Sequence, residues 1–134
     1  MTTKIFVNLP VQNLDKSIEF FKGLGFALNR QFTDETAACM VISDDIYAML
    51  LTETKFKEFI PKEIADATKT TEVLTCLSVD RKDEVNRVAN TALAAGATEA
   101  REPIDYGFMF GRSFNDLDGH IWEIIWMDPS HAQK

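Results

Sequence analysis

From Lys4 to Val11, the apolar residues Ile5, Val7, Leu9 and Val11 alternate with Phe6, Asn8 and Pro10, the period of two that marks a strand. Asn13 then offers a side-chain cap for a helix, with Asp15 in its first turn, where the helix dipole favours negative charge. Leu14, Ile18 and Phe21 follow at helical spacing, and Gly25 supplies the stop. Three strands are expected next, over 26–32, 37–43 and 47–52, with Thr33-Asp34 and Asp44-Asp45 as the turns between them.

The second half repeats this order with little repetition of letters. Residues 73–79 read as a strand, and Asp80 is placed to cap a second helix. Val85, Val88, Ala89, Ala92 and Leu93 form its apolar stripe, and Gly96 ends it. Residues 97–101, 106–114 and 121–126 supply three further strands. Aligning Val11 with Val79 pairs Asp15 with Asp83, while the second helix stop falls three residues late. The pattern predicts an α+β chain of two βαβββ modules in one domain, residues 1–134. Module one spans 1–52, a linker 53–71, module two 72–127 and a tail 128–134.

Each module alone has a four-stranded sheet with one face under its helix. The two uncovered faces are expected to curl into one concave cavity, and Phe6, Asn8 and Pro10 belong to the uncovered face of the first strand. In the linker, Phe56, Phe59 and Ile60 make a short amphipathic turn before Pro61. A segment packed on the domain edge is the plain expectation there, and a lid over the cavity is the functional alternative.

Composition narrows the class. Hydrophobic residues at 46% and charged residues at 26% are globular values, so disorder is excluded. No apolar run reaches the roughly 18 residues that span a bilayer, and MTTKIFVNLP lacks the features of a secretory leader, so a cytoplasmic location without a membrane is expected. The net charge of −7 argues against a nucleic-acid partner and is read as solubility. Cys39 and Cys76 sit in apolar runs without metal spacing and are expected to be buried free thiols. Trp122 and Ile124 are expected under the helices, Trp126 on the face of Glu123 as a pocket rim or dimer contact, and His131 solvated in the tail.

Two motifs carry a family resemblance. The run Val7-Asn8-Leu9-Pro10-Val11-Gln12-Asn13-Leu14-Asp15-Lys16-Ser17-Ile18-Glu19-Phe20-Phe21, followed by Leu24-Gly25-Phe26, resembles the opening strand and helix of the vicinal oxygen chelate superfamily. This superfamily comprises the glyoxalase, bleomycin-resistance and extradiol-dioxygenase relatives. Asp116-Leu117-Asp118-Gly119-His120-Ile121-Trp122-Glu123 resembles its closing hairpin, and 106–114 looks like a subgroup labelled predicted lactoylglutathione lyase. The resemblance implies a divalent metal (zinc, nickel, manganese or iron) held by the first, fourth, fifth and eighth strands. Here the first and fifth positions fall on Phe6 and Leu74, and the fourth lies around Met49 to Leu51, none of which is a ligand. The closing carboxylate survives as Glu123. His120 lies three residues away on the same strand, so alternation points it to the other face. One carboxylate does not make a metal site, and no cofactor is assigned.

With those ligands replaced, the cavity floor is expected to be largely apolar, formed by Phe6, Leu74 and Met49 or Leu51. Asn8, Cys76, Ser78, Phe110, Arg112 and Glu123 complete the candidate site. Arg112 would grip an anionic group or else pair with an acid such as Glu123, and Glu123 is the candidate catalytic base. Three functions remain open: a protein that binds a small, partly apolar molecule without metal, a metal-dependent lyase or isomerase resembling lactoylglutathione lyase, and a non-catalytic structural or regulatory module. A homodimer is expected from the resemblance and from the sheet edges that need cover.

Overall fold

β1 (Ile5–Val11) buries Leu9 and Val11 and leaves Phe6 and Asn8 exposed, as its alternation requires. The structure is a computed structural model describing residues 2–132. The chain divides into two compact units, one ending at Asp66 and the other starting at Ala67.

In the first unit, Asn13 caps α1 (Leu14–Gly23), its side chain accepting from Lys16 N at 3.1 Å. Gly25, at φ 108°, lets the chain turn away, a conformation costly for residues with a Cβ. Then come β2 (Ala27–Asn29), β3 (Ala37–Ser43) and β4 (Ile46–Thr52). The strand order is β1-β4-β3-β2, with β1 parallel to β4 and the other pairs antiparallel. α1 packs on β3 and β4 and buries Leu14, Phe20 and Phe21. Leu9, Met40, Ala48 and Leu50 form the buried layer of the sheet on that side. Each large side chain so buried contributes roughly 1.5–3 kcal/mol.

The strand expected over 26–32 is shorter than its pattern suggested. Asn29 Oδ1 accepts from Gln31 N at 3.0 Å, turning Arg30–Phe32 into a 3-10 turn. After β4, Thr52 caps the short helix α2 (Glu53–Lys57), which packs on β1 and β4. Phe56 is half-buried there and Phe59 is exposed.

The second unit repeats the design with β5 (Thr75–Ser78), α3 (Lys82–Ala94), β6 (Thr98–Asp105), β7 (Met109–Asn115) and β8 (Ile121–Met127), ending in α4 (Pro129–Ala132). Its order is β5-β8-β7-β6, with β5 parallel to β8. The apolar stripe of α3 buries Val85, Val88, Ala89 and Ala92. α3 has 13 residues against the 10 of α1, which is the three-residue delay seen in the sequence. Four expectations need correction. β5 starts at Thr75, so Leu74 stands exposed ahead of the strand. Asp80 does not cap α3: Arg81 occupies the cap position without a side-chain bond and pairs instead with Asp83 at 2.7 Å. β6 runs on to Asp105 because two register shifts, on either side of Arg101, let it continue past Pro103. β7 begins only at Met109, after a turn in which Gly107 has φ 82°.

The closing motif is a hydrogen-bonded hairpin. Asp116 is buried, and its Oδ1 accepts from Asp118 N at 2.9 Å and His120 N at 3.0 Å. Its Oδ2 accepts from Trp122 Nε1 at 2.9 Å. Gly119 sits at φ 92°, and a Cβ there would lie 2.9 Å from the backbone of Ala67. Among the described residues no helix is long and apolar enough to cross a membrane.

Candidate functional site

The faces of the two sheets sort the residues singled out in the sequence. In the first unit, Phe6, Asn8 and Met49 share the face opposite α1, where Phe6 pairs with Tyr47 and Asn8 with Met49. Phe6 and Tyr47 stack with centroids 4.6 Å apart, and the Asn8 amide donates to Phe6 O at 3.1 Å. That face presents aromatic and apolar surface with one amide.

In the second unit, Phe114, Arg112 and Phe110 of β7 pair with Trp122, Ile124 and Trp126 of β8, the face on which α3 packs. Phe110 and Arg112 therefore lie under the helix and not on the face of Glu123. Arg112 Nη1 donates to Asn86 Oδ1 at 3.0 Å and Asn90 Oδ1 at 2.8 Å, both on α3, and Nη2 approaches Glu99 at 3.8 Å. Lys82 Nζ stands 5.2 Å over the Phe110 ring. Trp126 falls on this side too: it is four residues from Trp122 in an unbroken register, so it cannot share the face of Glu123. His131 remains exposed, yet it stacks on Phe108 at 3.9 Å.

On the opposite face a polar row crosses all four strands. Cys76 of β5 pairs with Glu123 of β8, Glu123 with Ser113 of β7, and Ser113 with Arg101 of β6. Arg101 Nη2 donates to Glu123 Oε2, and Arg101 Nη1 donates to Glu102 O at 3.3 Å. Between them Ser113 is only 3% exposed, and its hydroxyl has no hydrogen-bond partner among the described residues. A buried hydroxyl left unpaired costs about 1–3 kcal/mol. One register step away lie Ser78, Ile125 and Gly111. Cys76 is exposed, against the expectation of burial; partial burial of its thiol and the neighbouring Glu123 carboxylate push its pKa up, with Arg101 opposing. Such a thiol is a poor nucleophile. Cys39 is buried and its thiol is likewise pushed up by burial.

The donors do not fit a divalent metal. Phe6, Met49 and Leu74 have no ligating oxygen, nitrogen or thiolate, and the Glu123 carboxylate is engaged by a guanidinium. Among the described residues no three His, Cys, Asp or Glu side chains gather as a metal site requires. The residue the sequence did not single out is Arg101. Its bearing on Glu123 depends on a bulged register between two strands, which no period-two pattern reveals.

Comparison with known proteins agrees with this architecture. Residues 3–43 match the family model described as bleomycin resistance protein-like, N-terminal. A hypothetical protein from S. aureus superposes with a TM-score of 0.79 at 29% identity, over 94% of each chain. A glyoxalase/bleomycin resistance protein/dioxygenase family enzyme from Burkholderia phytofirmans PsJN gives 0.76 at 16% identity, over 91% of this chain and 96% of its own. The fosfomycin resistance protein FosX from Mesorhizobium loti gives 0.71 at 12% identity, over 100% and 99%. A search of curated protein sequences gave no match. Paired βαβββ units with this strand order define the glyoxalase and bleomycin-resistance fold. The chain therefore has the glyoxalase/bleomycin resistance/dioxygenase fold, and residues 3–43 carry the match to the bleomycin resistance protein-like model.

Proposed function

We propose that the chain is a binding protein that holds a small, partly apolar molecule on the helix-free face of its second sheet, without the metal its superfamily commonly uses. The observation that carries this reading is the Arg101–Glu123 contact. It takes the one retained ligand position out of the metal-binding set and leaves a polar anchor beside Ile125 and Cys76. A few polar groups on an apolar surface is the usual make-up of a small-molecule site. The match of the first module to a bleomycin resistance protein-like model supports binding over turnover. We also propose that two copies pair, since each four-stranded sheet has two edge strands.

The test is a thermal-shift screen of chelated protein against aromatic and aliphatic small molecules, repeated with Cys76→Tyr. Cys76 is exposed, so tyrosine there covers the face without entering the core. Stabilisation by hits that Cys76→Tyr abolishes supports the reading. Hits that bind both proteins equally place the site elsewhere and overturn it.

A further inference from the structure

We propose that Arg101 is the resident cation of this site, and that the ligand carries a carboxylate or similar oxyanion that Arg101 and Ser113 receive. The inference rests on the binding reading above and adds the chemical class of the ligand. Three observations lead to it.

The first is the inventory of donors. A guanidinium presents five N–H groups in a planar fork, and Arg101 spends only one on Glu123 Oε2 and one on Glu102 O. The side chain is 40% exposed, so part of it is open to solvent. A guanidinium fork suits a carboxylate better than a lysine would, because both oxygens can be met at once.

The second is Ser113. Its hydroxyl is buried, has no partner among the described residues and lies on the strand between Arg101 and Glu123. It has a proton to give, and an oxyanion placed against Arg101 is the acceptor within its row. The third is the state of Glu123. Its carboxylate is 16% exposed and already charge-paired, so it is not the group that seeks a cation from solution. The guanidinium thus stands at the family's closing carboxylate as a fixed positive charge, in the role a metal would otherwise fill.

This arrangement sets two opposite mutational effects. Glu123 holds Arg101 in place but repels a bound oxyanion. Replacing it with the neutral isostere keeps a hydrogen-bond acceptor for the guanidinium and removes the repulsion. Replacing Arg101 removes the attraction itself.

The experiment is calorimetric titration of chelated protein with benzoate and with benzamide, its neutral counterpart, on wild type, Arg101→Gln, Arg101→Lys, Ser113→Ala and Glu123→Gln. Benzoate is expected to bind wild type more tightly than benzamide. Arg101→Gln should weaken benzoate by about tenfold or more, with Arg101→Lys intermediate. Ser113→Ala should weaken it several-fold, and Glu123→Gln should tighten it. Benzamide should change little throughout. If benzamide binds but benzoate does not exceed it, or Glu123→Gln weakens benzoate as Arg101→Gln does, Arg101 is not an oxyanion receptor and only the broader binding reading stands. If neither probe binds, both readings fail for this face.

Discussion

Arg101 Nη2 donates to Glu123 Oε2 across the width of β7, with Ser113 lying between them in the same cross-strand row. Arg101 is 40% exposed but Glu123 only 16%, so the two halves of the pair are not equivalent. Glu123→Gln leaves an exposed guanidinium that water solvates and is expected to unfold in urea within about 1 kcal/mol of wild type. Arg101→Gln leaves a mostly buried carboxylate without its cation and is expected to lose more. Equal losses in the two variants would contradict this.

Arg112 is a separate case. It lies under α3, bonded to the exposed amides of Asn86 and Asn90, so its removal loses the packing of its stem while the two amides turn to water. Arg112→Ala is expected to lower stability by about 1 kcal/mol in denaturant titration. Ligand hits from the thermal-shift screen should still bind it. Loss of those hits with stability intact would return Arg112 to the site.

Asp116 gives the closing hairpin a definite pH dependence. Burial pushes its pKa above the ordinary carboxylate value, while His120, Trp122 Nε1 and two backbone N–H groups pull the other way and are outweighed. A carboxyl whose folded pKa is raised binds more protons folded than unfolded. Its contribution is full below the unfolded value and is lost as pH rises through the folded one. The stability of wild type minus that of Asp116→Asn should therefore fall with rising pH above the ordinary carboxylate range. Urea unfolding at a series of pH values measures it, and a difference that rises with pH contradicts the assignment.

Gly119 tests the same hairpin sterically. At its φ of 92°, any Cβ would stand 2.9 Å from the Ala67 backbone, which leaves no room for a side chain. Gly119→Ala is expected to cost about 1–3 kcal/mol, read as a lowered Tm. An unchanged Tm would mean that this turn relaxes freely.

The proposed pairing of two chains is checked by sedimentation equilibrium. A mass twice that of the chain is expected at micromolar concentration, and a single-chain mass throughout the range would dismiss the dimer.

The α+β architecture was legible because Leu9 and Val11 alternate with Phe6 and Asn8, and because Asn13 and Gly25 bracket a helix whose buried stripe is local in sequence. What local pattern could not supply was register. Period-two alternation puts Phe110, Arg112 and Phe114 on one face, but which face depends on their pairing with Trp126, Ile124 and Trp122 across a hairpin. Arg101 was hidden for the same reason, behind the shifts in β6. Asp80 looked like a cap, but Arg81 takes the position and draws Asp83 to itself. Parity alone would have moved Trp126 to the side of Trp122.

The central claim, a site that works without metal, is tested most directly by metal content. Mass spectrometry on untagged protein, before and after mild chelation, reads it in wild type, Arg101→Gln and Glu123→Gln. No stoichiometric zinc, nickel, manganese or iron is expected in wild type, because Glu123 is held by Arg101 and no second ligand stands at Phe6, Met49 or Leu74. A stoichiometric transition metal in wild type that Glu123→Gln removes would contradict it.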